Sequence, residues 1–316
     1  MDSINVLSLC DGMSCGQIAL NELNIPINNY YAAEIKPCAI KVTQFNYPNT
    51  IQIGDVNKIS YKDGILFTEK GEFEVGKIDL MMWGSPCQTF SIATVKNQRT
   101  GLENKEKSGL FYECYRIWQE IKPKYFLFEN VASMKKEDKD LLSSILNIQP
   151  IKINSSIVAP ALRNRLYWTD IPIIGELEKK DIKLQDILTS GYTNREKARC
   201  LTVRGEEQNR TPVKAYHRYA GVGFDTLIFK SKEHFEQCKN YYDIHYKGRA
   251  AKDIPVGETD IFDGVRYMNK TEREKCQTVP SGYTSCLTEE EAKNVLGDGW
   301  TIEVIKFLLK GIKYNL

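Results

Sequence analysis

The stretch INVLSLCDGMSCG, residues 4–16, decides the fold of this chain. Its apolar half, residues 4–9, predicts a short buried strand, and residues 17–23 predict the helix that follows. Gly12 lies in the turn between them, where the missing side chain lets a ligand approach the backbone. Strand, tight turn and helix in this order predict the opening unit of an α/β fold. The turn lacks the GxGxxG spacing, so a dinucleotide site is poorly supported.

The same alternation of strand and helix continues through the first 170 residues. Further strands are predicted at residues 29–33, 50–53, 78–83 and 125–128, and helices at residues 39–45, 110–121 and 139–146. Residues 152–158 and 165–169 predict two later strands in a hairpin-like pair. This order predicts a mostly parallel, doubly wound sheet.

The regular pattern weakens between residues 176 and 265, where aromatic and basic side chains mix with recurring glycines. We expect a smaller, irregular lobe there. Regular structure returns near Asn269, and Thr288 followed by Glu291 predicts a capping box at a helix start. Residues 301–309 predict a final helix. The chain is therefore expected to divide into residues 1–175, 176–265 and 266–316, the last segment returning to the first domain.

Composition excludes several classes of protein. The chain has 316 residues, and 43 basic against 41 acidic residues leave a net charge of +2. That balance argues against coating nucleic acid by bulk charge, although a local basic cleft is compatible with it. The nine cysteines are scattered without a CxxC pair, so we expect neither a metal site nor a disulfide framework. The sequence shows no signal peptide and no apolar run of about 18 residues, so no membrane partner is expected.

Acidic or reactive residues follow the predicted strands at one edge of the sheet: Asp11, Glu34, Asp55, Cys87 and Glu129. Ligands bind at the carboxyl ends of strands in open α/β sheets, so this rim is predicted to carry one active site. The Glu34 carboxylate can accept hydrogen bonds from ribose hydroxyls, and Asp55 can accept one from an adenine amino group. A solvated strand end or a turn cap is the alternative for each.

The segment GSPCQTFS, residues 84–91, is the most distinctive feature of the chain. It places Cys87 behind Pro86 on a rigid loop at a strand end. A thiolate there is a strong nucleophile, and a buried, inert thiol is the alternative. Glu129, in FENV at the next strand end, can share a proton with the nitrogen of a heteroaromatic ring if it is partly buried.

Arg163 and Arg165 lead into a later strand. Side chains two residues apart point the same way in an extended chain, so the two could together brace a pyrimidine carbonyl, a phosphate or the nearby carboxylate. A solvated basic stripe is the alternative.

Taken in order, these segments resemble the cytosine-5 DNA methyltransferases. The resemblance rests on CDGMSCG at residues 10–16, GSPCQTFS at 84–91, FENV at 128–131 and ALRNRLYW at 161–168. After the variable region, EREKCQTVPSGYT at residues 272–284 and GDGW at 297–300 continue the pattern. The resemblance covers about residues 1–170 and 266–316. The residues of its motifs are most similar to those of the animal de novo enzymes and of similar phage or bacterial enzymes.

The resemblance implies a Rossmann-like, S-adenosylmethionine-dependent methyltransferase fold with a catalytic domain at residues 1–175 and a target-recognition lobe at 176–265. It implies that Cys87 attacks C6 of a cytosine flipped out of double-stranded DNA. Glu129 engages N3 and the exocyclic amino group, while Arg165 with Arg163 holds the ring. C5 then takes the methyl group, and loss of its proton with elimination releases the enzyme.

The cofactor is expected to lie over the first turn and the neighbouring strand ends, leaving as S-adenosylhomocysteine. The residues implied to bind it are Cys10, Asp11, Gly12, Met13, Glu34, Ile35, Asp55, Val56, Ser85, Pro86 and Trp300. DNA contacts are expected from Gln88, Ser91, Arg204, Arg210 and Lys214, with a solvated surface as the alternative for the three basic residues.

Two other functions stay open. A tRNA cytosine-5 methyltransferase uses the same chemistry, although the Cys-Phe-Thr signature of that branch is absent. A catalytically inactive DNA-binding subunit would retain the fold. No regulatory domain precedes the catalytic region, so we expect a microbial or phage enzyme, alone or with a cognate restriction enzyme. It is expected in the cytoplasm of a bacterial or phage-infected cell, associated with the nucleoid.

Overall fold

The computed structural model describes residues 3–84, 105–202, 211–221, 223, 225–254 and 260–314, with only the backbone of residues 105–108. The chain forms two compact units. The first comprises Met1–Asn154, Asn164–Leu177 and Trp300–Leu316, and the second Ser155–Arg163 and Glu178–Gly299. The return to the first unit therefore comes at Trp300, later than the expected boundary near residue 266. The three-part functional division stays a prediction.

The secondary structure follows the predicted alternation through the first unit. The strands are β1 (Ile4–Leu9), β2 (Ile27–Ala33), β3 (Ile51–Gln52), β4 (Ser60–Lys62), β5 (Ile65–Thr68), β6 (Gly71–Glu74), β7 (Leu80–Gly84), β8 (Tyr125–Val131), β9 (Ile151–Asn154) and β10 (Asn164–Thr169). The helices are α1 (Cys15–Glu22), α2 (Pro37–Asn46), α3 (Lys105–Ile121), α4 (Lys136–Leu146), α5 (Leu184–Ile187), α6 (Pro212–Gly221), α7 (Lys232–His245), α8 (Lys270–Cys276), α9 (Glu289–Asp298) and α10 (Ile302–Leu309).

One sheet of the first unit has the strand order β3-β2-β1-β7-β8-β10-β9. The pairs from β3 to β8 are parallel, whereas β10 pairs antiparallel with both β8 and β9. The mostly parallel sheet and the hairpin-like pair are therefore confirmed. The strand order reverses at β1, since β2 lies on one side of it and β7 on the other. Such a switch point opens a crevice at the carboxyl ends of the strands.

Alternate residues of the strands face opposite layers of helices. Leu9, Trp83 and Phe128 belong to a buried cluster that includes the apolar face of α3. The rings of Trp83 and Phe128 stack with centroids 5.2 Å apart. On the other face Met82 lies against Gly16 of α1, where an added Cβ would come within 2.3 Å of the methionine methyl group. Gly16 therefore lets α1 approach the sheet.

A small antiparallel sheet, β4-β5-β6, was not predicted. Its strands are short and half-exposed, so their apolar pattern is weak. Asp63 and Gly64 join the first two strands and both have positive φ, 51° and 84°. An Asp-Gly pair with these angles is the sequence signal of a two-residue hairpin, so this hairpin was detectable.

The second unit is more regular than its sequence predicts. α6 and α7 lie within the stretch expected to be irregular, and their buried faces are largely aromatic. Tyr216, Phe229 and Phe262 form part of one buried cluster with these helices. Aromatic residues are mediocre helix formers, so packing more than local propensity holds these helices. The predicted capping box is confirmed, because the Thr288 hydroxyl accepts a hydrogen bond from the Glu291 amide at 3.2 Å.

Among the helices that the structure describes, none combines the length and the apolar composition that crossing a bilayer requires.

Two glycines allow a matched test of packing in the first unit. At Gly311 an added Cβ would lie 1.9 Å from the carbonyl oxygen of Pro172, whereas at Gly109 in α3 it would meet nothing within 4 Å. We expect Gly311→Ala to lower the free energy of unfolding by about 2–3 kcal/mol through overpacking. Gly109→Ala should raise it by about 0.5–1 kcal/mol through helix propensity. Urea titrations of both variants measure this, and equal effects would contradict the assigned packing.

Candidate active site

The turn after β1 is built from left-handed backbone. Cys10, Gly12 and Ser14 have φ values of 53°, 62° and 57°. The Asp11 amide donates to the carbonyl of Ala33 at 3.1 Å, which ties the turn to the end of β2. An ideal Cβ at Gly12 would meet no atom within 4 Å, so the turn presents open space on that side.

The Glu34 carboxylate joins two turns of the rim. It accepts hydrogen bonds from the amides of Gly12 at 2.8 Å, Ile35 at 2.8 Å and Lys36 at 2.9 Å. A carboxylate offers about four lone-pair sites, so these three bonds leave about one for a ligand hydroxyl. Glu34 is therefore both a structural link between the β1 and β2 turns and a candidate ribose acceptor.

Asp11 is enclosed by hydroxyl groups. It accepts from the Tyr30 hydroxyl at 2.8 Å and from the Ser14 hydroxyl. Withdrawal from solvent raises the pKa of Asp11 to about 6, an effect that the bonds from Ser14, Ser8 and Tyr30 partly offset. Sequence reasoning missed Tyr30, since nothing in the pattern of β2 distinguishes it from a core residue.

Ile35 and Asp55 lie at the ends of neighbouring strands. Ile35 is an exposed apolar side chain, with 66% of its surface accessible. Asp55 caps a short 3₁₀ helix, because its Oδ1 accepts from the amide of Asn57 at 2.9 Å and from its side chain at 2.8 Å. The turn-cap interpretation thus applies to Asp55. Within the described residues, its second oxygen makes no hydrogen bond, so one acceptor remains for a ligand.

Glu69, from the small sheet, also reaches this point. Its Oε1 accepts from the Asp55 amide at 3.1 Å. Gly54, with φ of 86°, makes room for it, since an added Cβ would lie 2.4 Å from that oxygen. This contact was not predicted, because it joins residues 14 apart in sequence and depends on how the small sheet packs.

Three predicted cofactor residues have side chains that are buried or partly buried. Met13 and Val56 have buried side chains, so only their backbones are available to a ligand. Cys10 is partly buried and packs against the core cluster beneath the sheet. Their assignment as cofactor contacts stays a prediction.

Glu129 lies at the centre of a buried polar cluster at the rim. It lies on β8 opposite Gly84 of β7 and is only 7% exposed. The Arg165 Nε lies 2.7 Å from its Oε1, and the Trp300 indole Nε1 donates to its Oε2 at 3.1 Å. One carboxylate oxygen is therefore held by an ion pair and the other by a hydrogen bond. The predicted pairing of Glu129 with Arg165 is present in the structure.

Trp300 takes a position that the sequence did not indicate. Its indole N–H donates to Glu129, and its predicted contact with the cofactor stays a prediction. Its backbone amide donates to the Cys15 sulfur at 3.2 Å, which anchors it to the start of α1. An added Cβ at Gly84 would lie 3.2 Å from the indole nitrogen and 3.3 Å from the Glu129 carboxylate, so the missing side chain lets both groups lie close to the strand. Residues this far apart in sequence leave no local signal.

Arg163 is placed differently from Arg165. β10 begins at Asn164, so Arg163 lies outside the strand on which a shared direction was predicted. Its guanidinium is buried in the second unit and donates to the carbonyls of Gly297 at 3.3 Å and Asp298 at 3.4 Å. These contacts are those of a residue that holds backbone, and its predicted contact with a base stays a prediction.

Several predicted residues lie outside the part of the chain that the structure describes: Ser85, Pro86, Cys87, Gln88, Ser91, Arg204 and Arg210. Lys214 is described, as a partly exposed residue of α6. Among the described residues, no group of three or more histidine, cysteine or carboxylate side chains could hold a metal ion.

One cavity of about 360 Å³ opens near the first turn of α4, between Met134 and Lys152. None of the predicted site residues lines it. The rim around Glu34 and Glu129, where the polar groups converge, is therefore the better candidate for the active site.

Known proteins share this fold over the full chain. A methyltransferase of Entamoeba histolytica, EhMeth, superposes with a TM-score of 0.66 over 100% of this chain and 99% of its own, at 17% identity. The Dnmt2 methyltransferase of S. pombe gives 0.65 over 99% and 100%, at 16% identity. The fold is thus the Rossmann-like fold of S-adenosylmethionine-dependent methyltransferases, as predicted.

Sequence comparisons relate this chain to DNA methyltransferases that act on cytosine C5. Residues 4–150 match the family model for C-5 cytosine-specific DNA methylases. The type II methyltransferase M.NlaIV of Neisseria lactamica is 31% identical over 143 residues, 44% of this chain and 30% of that protein. The orphan methyltransferase M.SPRI of Bacillus phage SPR is 29% identical over 206 residues, 60% of this chain and 44% of its own. The chain thus spans less than half the length of these relatives.

The buried carboxyl group of the first turn predicts a pH dependence of stability. Because the pKa of Asp11 rises from 3.8 to about 6 on folding, the native state holds a proton that the unfolded chain releases. Stability from this group is present at low pH and is lost as the pH rises from about 4 to 6. Asp11→Asn should therefore be more stable than the wild type at pH 7, by on the order of 2–3 kcal/mol.

The measurement is the difference in unfolding free energy between Asp11→Asn and the wild type at several pH values. Comparing two variants cancels the contributions of other titrating groups. The difference should grow between pH 4 and 7, and a constant difference would show that Asp11 does not hold a proton in the folded state.

Proposed function

We propose that this protein transfers a methyl group from S-adenosylmethionine to C5 of a cytosine flipped out of double-stranded DNA, through a covalent adduct at Cys87. The observation that carries the proposal is the Glu129 carboxylate, buried at the end of β8 between Arg165 and Trp300. It lies within residues 4–150, the segment that matches the family model for C-5 cytosine-specific DNA methylases. Burying a carboxylate is costly unless it is paired and hydrogen-bonded, and buried ionisable groups with dedicated partners are concentrated at functional sites.

The residues of the rim fit the proposed cofactor. Gly12 leaves open space at the first turn, and Ile35 exposes an apolar side chain on which an adenine ring can pack. Glu34 and Asp55 each keep acceptor capacity, for the ribose hydroxyls and the adenine amino group. When bound, S-adenosylmethionine supplies an electrophilic methyl group to the site.

Glu129 is suited to hold a cytosine ring. A carboxylate has about four lone-pair sites; the Trp300 indole occupies one on Oε2, and the Arg165 guanidinium forms an ion pair with Oε1. Each oxygen keeps a site for the cytosine edge: one accepts from the exocyclic amino group, and the other shares with N3 a proton that the Glu129 carboxyl group supplies and takes back when the ring is restored. Binding the ring in this form draws electron density from C6 and makes it open to attack.

Cys87 is the proposed nucleophile. Its thiolate forms a bond to C6, and the electron pair of the C5–C6 double bond becomes available at C5, which takes the methyl group. Loss of the C5 proton to a base and cleavage of the sulfur–C6 bond then restore the ring and the thiolate. Arg165 keeps its charge throughout and compensates the negative charge of Glu129.

DNA contacts at Gln88, Ser91, Arg204, Arg210 and Lys214 are part of the proposal and await a measurement of binding. The named relatives include a type II and an orphan methyltransferase of bacterial and phage origin. We therefore extend the proposal to a DNA-modifying enzyme of a microbe or phage, acting inside the cell with or without a restriction partner.

A substrate analogue tests the nucleophile. In DNA containing 5-fluorocytosine the fluorine cannot leave as the C5 proton does, so the proposed adduct accumulates. We expect the wild type to form a complex with such DNA that survives denaturing electrophoresis, and Cys87→Ala to form none. Cys286→Ala, a partly exposed cysteine of the second unit, is the control and should behave like the wild type.

Transfer of labelled methyl groups to unmodified DNA and to total tRNA accompanies this test. Label in cytosine C5 of DNA supports the proposal. Label in tRNA alone, or an adduct that persists in Cys87→Ala, would contradict it.

Ile35 tests the cofactor site through binding alone. Replacing it with serine removes the apolar surface proposed to cover adenine, so we expect Ile35→Ser to weaken binding of S-adenosylhomocysteine by about tenfold. Phe45→Ser is the matched control, because Phe45 on α2 is 62% exposed and lies outside the proposed site. Titration calorimetry with the two variants measures the effect, and equal weakening would place the ligand elsewhere.

A further inference from the structure

We infer that Trp300 is a positioning residue for the reaction, whose indole N–H fixes the plane of the Glu129 carboxylate. This inference deepens the proposed function and rests on it. The sequence suggested only that the indole covers the cofactor, a role that needs the ring but not its N–H group.

Glu129 is held at both of its carboxylate oxygens. Arg165 Nε forms an ion pair with one oxygen at 2.7 Å, and Trp300 Nε1 donates a hydrogen bond to the other at 3.1 Å. The ion pair alone leaves the carboxylate free to turn about the bond to its carbon chain. The directional hydrogen bond on the second oxygen fixes the plane, so the remaining lone pairs point in fixed directions.

The backbone of Trp300 is anchored at several points. Its backbone amide donates to the Cys15 sulfur at 3.2 Å, and the same thiol lies 3.6 Å from its carbonyl oxygen. The next residue, Thr301, is fully buried and begins the turn into α10, which packs against α1. The donor to Glu129 therefore comes from rigid structure, which is what a positioning group requires.

Gly84 supplies an independent observation. It pairs with Glu129 across β7 and β8, and an added Cβ would lie 3.2–3.3 Å from both the indole and the carboxylate. These contacts are tighter than ordinary van der Waals separation, so the indole and the carboxylate are packed against the bare backbone at this position. A Cβ there would require the indole or the carboxylate to shift by a few tenths of an ångström.

Trp300 links two parts of the proposed site. Cys15 opens α1 directly after the turn at residues 10–14 that is proposed to bind the cofactor. Trp300 thus contacts the helix that follows the cofactor turn through its backbone and the base-binding carboxylate through its side chain.

The test compares Trp300→Phe, Trp300→His and Trp300→Leu with the wild type. Phenylalanine keeps an aromatic ring without a donor, histidine keeps a ring with an N–H donor, and leucine keeps neither. We expect Trp300→Phe to bind S-adenosylhomocysteine within about twofold of the wild type but to lose on the order of tenfold or more in kcat, the effect of one charge-assisted hydrogen bond. Trp300→His should recover part of that kcat.

The opposite pattern would overturn the inference. If the indole only covers the cofactor, Trp300→Phe will keep kcat, and Trp300→Leu will raise the Kd for S-adenosylhomocysteine. A loss in Trp300→His as large as in Trp300→Phe would show that the donor is not what matters. Equal loss of melting temperature and kcat in all three variants would point to a structural role and also overturn the inference.

Methyl transfer by the wild type distinguishes a failure of this inference from a failure of the proposed function. Transfer to DNA by the wild type, together with its loss in Glu129→Gln, establishes the reaction on which the inference depends. If the wild type labels DNA while Trp300→Phe matches it in kcat, the inference alone fails. If the wild type labels no DNA, the proposed function fails and the inference fails with it.

Discussion

The parallel register of β1 with its two neighbours is the constraint on which the rest of the rim depends. Leu9 at the end of β1 pairs with Ala33 of β2 and with Trp83 of β7, and Gly84 pairs in turn with Glu129. Strands that end level with one another deliver the residues after them to a common edge. Backbone pairing alone thus brings together turns that are far apart in sequence.

Carboxylates at this edge are held by donors rather than left to solvent. Glu34 accepts hydrogen bonds from three backbone amides. Glu129 accepts one from the Trp300 indole and forms an ion pair with Arg165. Burying a carboxylate is costly unless such bonds compensate for the lost water. Backbone amides compensate for this cost at Glu34. At Glu129 the compensation comes from the side chains of Arg165 on β10 and Trp300 in the final segment of the chain. Both leave acceptor capacity facing the proposed ligands.

The last segment of the chain completes the site from the far end of the sequence. Trp300 and the helix after it return to the first unit and pack beside α1. A single indole then lies between the start of α1 and the end of β8. Conversely, Arg163 and Arg165, neighbours in sequence, belong to different units and bind different groups.

The α/β class, the strand that ends before Glu34 and the helix cap at Thr288 can be predicted from the sequence, because they depend on short-range apolar periodicity and turn chemistry. The predicted strand end at Phe128 was wrong, since β8 continues to Val131 and includes Glu129. Tertiary structure alone decided which donors meet at Glu129, that Asp11 is shielded from solvent, and that aromatic packing makes α6 and α7 helical. Those outcomes follow from contacts between residues distant along the chain, and local patterns carry no record of such contacts.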